Sequence, residues 1–278
     1  MSKAKVALGI VSYGGQDALW WKPLMDFIGM WDRDKLEYVE TFHSGVSTPD
    51  INRNRVADKF LKSDAEWLFW IDADNPPPLG TIERLMEPRH ELISGLYFGG
   101  DIKREMQPIA YVINERGGYH TLKQVKPLWN KGEILAVDAV GMGCFLTHRS
   151  VYEDIMENYT VLQRLSGGKA CVKNEDIKGE VPDDMSKHPY AQQVRKGILY
   201  DPIITYDMTD KDFPFFMCQF GRTEDYVFCE MARELGYMIW VDTFVEVGHV
   251  KAYPFDADDY RNQTGQVPSD VPQEVDYV

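Results

Sequence analysis

Trp67-Leu68-Phe69-Trp70-Ile71 puts five apolar residues in a row, two of them tryptophans. Successive side chains of a strand point to opposite faces, so a strand with no polar residue fits only in a sheet covered on both sides. Asp72-Ala73-Asp74-Asn75 and then Pro76, Pro77 and Pro78 follow at once, and proline cannot continue a central strand. The run predicts a buried strand that stops abruptly and leaves carboxylates at the rim of the sheet.

The neighbouring segments alternate in the same sense. Lys5 to Ser12 reads as a strand opening into Tyr13-Gly14-Gly15, Asp17 to Met30 is nearer to helical periodicity, and Glu37 to Phe42 resembles a second strand. Thr48-Pro49-Asp50 predicts a helix start with Pro at the first helical position, continuing through Ile51, Val56 and Phe60 to about Ser63. Leu92 to Phe98 predicts a further strand, and Val137 to Thr147 another, interrupted by Gly141 and Gly143. Alternating strand and helix predicts an α/β fold: a mixed, mainly parallel sheet flanked by helices, with ligands bound at the C-terminal strand ends.

A length of 278 residues allows one large domain or two small ones, and a single domain over residues 1–250 is the expectation. Residues 159–213 show no sustained period and read as an irregular excursion or lid. Thr223 opens a helix carrying Val227, Phe228, Met231 and Leu235 on one face, with Gly236 as its stop. Two short β runs, Met238 to Val241 and Val245 to Val247, then lead to His249. Residues 251–278 hold six acids against two bases and read as an acidic tail.

Thirty basic against 44 acidic residues leave a net charge of −14, which repels phosphate backbones and anionic lipid at long range and disfavours non-specific nucleic-acid binding. The apolar run near the start, Val6 to Ser12, is too short for a membrane span and lacks a cleavage pattern, so a cytoplasmic location is expected. Cys144, Cys171, Cys218 and Cys229 lie too far apart for a metal knuckle and read as reduced, mostly buried thiols.

On an extended strand Asp72 and Asp74 would point to the same side, about 6.6 Å apart, where one cation or one diphosphate could bridge them. Carboxylate oxygens suit magnesium or manganese; the plainer reading is a polar turn after a strand. Glu224 and Asp225 open the late helix, where the macrodipole favours acids whether or not one of them serves as a general base. His249 alone reads as a hydrogen-bonded structural histidine or as a metal ligand. Arg53 and Arg55, with Asn52 and Asn54, form either a solvated helix face or a set of groups for phosphate or base.

Taken in order, these motifs resemble the glycosyltransferases of the GT-A fold, a Rossmann-like architecture, and above all the inverting, family-two-like enzymes found in bacteria and bacteriophages. The residues that carry the likeness are Asn52-Arg53-Asn54-Arg55, the DxD element Asp72-Ala73-Asp74, Val140-Gly141-Met142-Gly143, Thr223-Glu224-Asp225 and Val247-Gly248-His249, across about residues 5–250. The resemblance implies a metal-dependent, hexosyltransferase-like enzyme that moves a sugar from a nucleotide-sugar donor, a UDP-sugar first, to a hydroxyl acceptor with inversion. It implies Asp225 as base supported by Glu224, and Mn2+ or Mg2+ on Asp74 and His249, with Asp72 on the metal or the ribose. It places Tyr13, Arg53 and Asn54 near the donor, and Gly141 and Gly143 where the donor sugar or acceptor approaches the backbone. The acceptor, whether a saccharide, a protein or a modified DNA base, stays open. Two alternatives stand beside it: a nucleotide- or glycan-binding module of the same fold without turnover, and a phosphatase of the Asp-x-Asp type, whose pattern Pro76 interrupts.

Overall fold

The computed structural model describes residues 3–12, 27, 29–45, 47–99, 107–115, 118–126, 129–163, 169–176, 213–218 and 222–248. The strands are β1 (Ala4–Val11), β2 (Leu36–Ser44), β3 (Trp67–Asp72), β4 (Leu92–Gly99), β5 (Gln107–Pro108), β6 (Ala110–Ile113), β7 (Tyr119–Thr121), β8 (Ile134–Val137), β9 (Ala139–Val140), β10 (Cys144–His148), β11 (Tyr159–Gln163), β12 (Lys169–Lys173) and β13 (Ile239–Val247). The helices are α1 (Pro49–Lys62), α2 (Thr81–Met86), α3 (Leu122–Val125), α4 (Arg149–Asn158) and α5 (Glu224–Glu234). The main sheet runs in the order β2-β1-β3-β10-β4-β13-β8, with β5 on β4.

β1 pairs parallel with β2 and β3, β13 pairs parallel with β4, and β10 is antiparallel to both β3 and β4. Thus β2, β1, β3, β4 and β13 share one direction, and the mixed, mainly parallel α/β architecture is the one observed. Their C-terminal ends make a common rim.

Period-two alternation divides β3 between two cores. Leu68 and Trp70 join the core that includes Val56 and Phe60 of α1, Val151, Tyr152 and Ile155 of α4, and Val227 and Phe228 of α5. Phe69 and Ile71 face the other way, into Ile82 and Leu85 of α2 with Phe27 and Trp31. Leu68, Phe69 and Trp70 are fully buried, which is why this strand tolerates no polar residue. The Trp70 indole N–H donates to Tyr152 Oη at 2.9 Å, so its one polar group is satisfied inside the core.

Helix ends follow the sequence signals. Thr48 and Thr223 precede α1 and α5 in extended backbone, and Gly236 adopts φ 92° just past α5, a left-handed turn that glycine enters without a Cβ penalty. The last carbonyls of α1 are taken by Arg149, which donates to Phe60 O and Ser63 O, each at 2.9 Å. Among the described residues Cys144, Cys171, Cys218 and Cys229 form no disulfide.

Three sequence expectations change. Val137 to Thr147 is not one interrupted strand but the end of β8, then β9, then β10, because Asp138 and the Gly141–Gly143 turn redirect the chain. The two β runs before His249 are one strand, β13, whose pairing with β4 shifts register between Asp242 and Glu246. Residues 159–173 of the expected irregular excursion contain an antiparallel pair, β11 with β12, each too short to show a period among polar neighbours. Most of the Asp17–Met30 segment, the remainder of the excursion and the 251–278 tail lie outside the described residues. Among the described residues, no helix is long and apolar enough to cross a membrane.

Candidate functional site

The chain steps from β1 out to β2 and returns through α1 to β3 on the other side of β1, so strand order reverses between β1 and β3. Such a reversal opens a crevice at the C-terminal strand ends. Asp72, the last residue of β3, sits there opposite Val11 of β1.

α1 enters the crevice with its first turns buried. Asn52, Arg53 and Asn54 are exposed by 0%, 4% and 3%, whereas Arg55 faces solvent. Each of the three buried groups fastens a different part of the chain. Asn52 accepts from Ser44 Oγ at 2.9 Å and donates to Ser47 O at 2.7 Å, fixing the turn after β2. Asn54 donates to Phe216 O at 2.7 Å and accepts from Phe216 N–H at 2.9 Å, fixing the segment that leads into α5. Arg53 lies between them at the centre of the site.

Arg53 Nη2 is 3.1 Å from Asp72 Oδ1, while Nε is 3.3 Å from Glu224 Oε1 and 3.2 Å from Asp225 Oδ1. Its guanidinium also rests 5.9 Å from the Trp70 ring centroid. Residues from both halves of the sequence are thereby gathered around one buried cation. Burial by itself would lower the Arg53 pKa, but the carboxylates of Asp72, Asp225 and Glu224 outweigh it and keep the group charged. Asp225 is pushed well above the usual carboxylate range by burial, against the pull of Arg53 and with the charges of Glu224 and Asp72 adding to the rise. Asp72 is raised in the same way, burial first, Arg53 opposing and Asp74 adding.

Asp72 and Asp74 do not share an extended strand. The backbone turns after Asp72, with Asn75 N–H donating to Asp72 O at 2.9 Å, so the polar-turn reading describes the geometry and the 6.6 Å strand estimate of about two residue rises does not apply. Asp74 is half-exposed at the mouth, and its charge acts on Asp72. These oxygen donors suit a hard cation that completes its shell with water and phosphate oxygens, which needs only one or two protein carboxylates. Among the described residues no group of three His, Cys, Asp or Glu side chains is placed to hold a metal ion. His249 and Tyr13 lie outside the described residues.

Arg53 and Asn54, expected near the donor, make these contacts inside the protein. The glycines also have internal neighbours. A Cβ on Gly141 would lie 1.8 Å from Tyr97 Oη, and one on Gly143 would lie 1.9 Å from Asn75 Nδ2. Gly143 N–H also donates to Tyr97 Oη at 3.4 Å. Tyr97 and Asn75 were not singled out from the sequence; the available signals were a phenol near the end of a mostly apolar strand and an amide directly after DxD. Gly143→Ala is expected to cost roughly 1–3 kcal/mol by overpacking, read as a lower denaturant midpoint at unchanged slope. A midpoint equal to the parent's would show that Asn75 yields freely.

No protein-family model matches the chain, and no curated protein matches it. Among solved structures it is similar to A197 from STIV, at 14% identity over 90% of this chain and 86% of that one, with a TM-score of 0.44. It is also similar to GalNAc-T7, solved with UDP, GalNAc and Mn2+, at 12% identity over 90% of this chain and 44% of that one, with a TM-score of 0.43.

Proposed function

We propose that the protein is a glycosyltransferase that moves a sugar from a nucleotide-sugar donor, a UDP-sugar first, to a hydroxyl acceptor with inversion. The supporting observation is the convergence of Asp72, at the end of β3, with Glu224 and Asp225, at the start of α5, on Arg53 at the strand-order reversal. Asp225 takes the proton from the acceptor hydroxyl. Its raised pKa moves it from the ordinary carboxylate range toward that of a working general base. Glu224 adds to that shift through its own negative charge.

Asp74, with Asp72 and His249, would hold Mn2+ or Mg2+, which when bound supplies positive charge against the departing diphosphate. The acceptor is a saccharide, a protein or a modified DNA base. Inversion requires Asp225 and the departing diphosphate to lie on opposite faces of the sugar.

A thermal-shift panel of nucleoside diphosphates with manganese, followed by assay of the matching nucleotide sugar, tests the reading. Slow hydrolysis of one nucleotide sugar supports it; binding without turnover, or phosphate release from a generic phosphomonoester, overturns it. Asp74→Ala is expected to weaken metal-dependent donor binding by at least about tenfold, as calorimetry with and without chelator would read. Equal donor affinity in both proteins would remove Asp74 from the metal set.

A further inference from the structure

We propose that Arg53 is the positioning residue of the site: one buried guanidinium that joins the end of β3 to the start of α5 and so fixes where the Asp225 carboxylate stands. The proposal rests on the transferase reading for what Asp225 does, but the geometry of the clamp is independent of it. Asp72, Glu224 and Asp225 carry like charge and are brought together from distant parts of the chain. Arg53 is the cation within 3.1 to 3.3 Å of all three. Like charges gathered around one buried cation repel strongly where water is scarce.

The shape of the group matters as well as its charge. Nε meets the two α5 acids while Nη2 meets Asp72, so the rigid fork spans two elements in a way a lysine ammonium cannot. Among the described residues its third nitrogen, Nη1, is buried with no hydrogen-bond partner; Nε donates to Glu224 and Nη2 to Asp72, and Asp225 Oδ1 meets Nε as an ion pair. The neighbours on α1 hold the fork in register: Asn52 and Asn54 fasten the turns on either side. Arg53 therefore sets the aim of the base.

The test compares the full-length parent with Arg53→Met, Arg53→Lys, Asp225→Asn and the double variant Arg53→Met/Asp225→Asn. Arg53→Met should lower the melting temperature by about 10 °C, because it strands buried carboxylates. Arg53→Lys should lower it less, since the charge remains and the fork does not. The double variant should melt above Arg53→Met, because one stranded charge is gone. In turnover of a nucleotide sugar, Arg53→Met should lose about 100-fold in kcat with donor KM changed by less than about threefold, the mark of a misplaced group rather than lost binding.

Additive melting losses in the double variant, or an unchanged kcat in folded Arg53→Met, overturn the proposal. If Arg53→Met does not fold, a double variant that folds supports the clamp, and one that fails while Asp225→Asn folds overturns it. A parent without any turnover but with non-additive melting sinks the transferase reading and leaves the clamp standing. An active parent with additive melting does the reverse.

Discussion

Asp225→Asn reduces kcat for sugar transfer by about 10²- to 10⁴-fold, the usual contribution of a general base, and leaves metal-dependent donor binding close to that of the parent. Asn keeps the shape and one carbonyl oxygen near Arg53 but cannot accept the acceptor's proton. The same substitution changes stability in the opposite direction. The folded-state pKa of Asp225 is raised, mainly by burial, so ionising it costs the folded protein more than it costs the unfolded chain. Its contribution is fully present below the unfolded carboxylate pKa of about 3.9 and is lost as pH rises through the folded value. Asn does not titrate, so its melting temperature should gain on the parent as pH rises above the unfolded value of about 3.9. Parallel melting curves over that range would show that Asp225 is not under this strain, and an Asn variant with parental kcat would end its assignment as base.

Asn54→Ala is expected to be strongly destabilising although it lies outside the acidic cluster. The amide supplies both a donor and an acceptor to Phe216, at 2.7 and 2.9 Å, and Phe216 is fully buried, with its ring stacked on Phe228 at 4.9 Å between centroids. Alanine leaves one backbone N–H and one C=O without partners away from water, at about 1–3 kcal/mol each. Urea unfolding should lose about 2–5 kcal/mol, and Asn54→Asp, which keeps only the acceptor side, should fall between. A loss below about 1 kcal/mol would mean that water replaces the amide and that Asn54 is not what holds residues 213–218 in place.

The fold was legible where local chemistry decides it. An all-apolar run has no place except a doubly covered strand, Thr-Pro-Asp starts a helix, and a glycine after the last apolar position ends one; β3, α1 and α5 follow these rules. The acids of the site were legible as residue types at strand and helix ends. Their shared partner was not. Asn52-Arg53-Asn54 is consecutive polar sequence, and local periodicity cannot separate a solvated helix face from a buried one whose partners lie 162 and 171 positions away. Only Arg55 turned out to be solvated. The glycine pair signalled close approach without saying by what. The approaching groups are Tyr97 Oη and Asn75 Nδ2, which sequence spacing could not name.

The fastening of α1 to residues 216 and 224 bears on how the chain can be made. At about 5–20 residues per second, synthesis separates Asn54 from Phe216 by roughly 8 to 30 s. Through that interval the helix has its apolar side to bury, Asp72 alone of the three acids for Arg53, and no mate for its second asparagine. The nascent amino-terminal portion therefore waits in a hydrated, unfinished state until the later portion emerges, and severing the polypeptide between residues 163 and 213 should yield two fragments that recover native structure only when mixed.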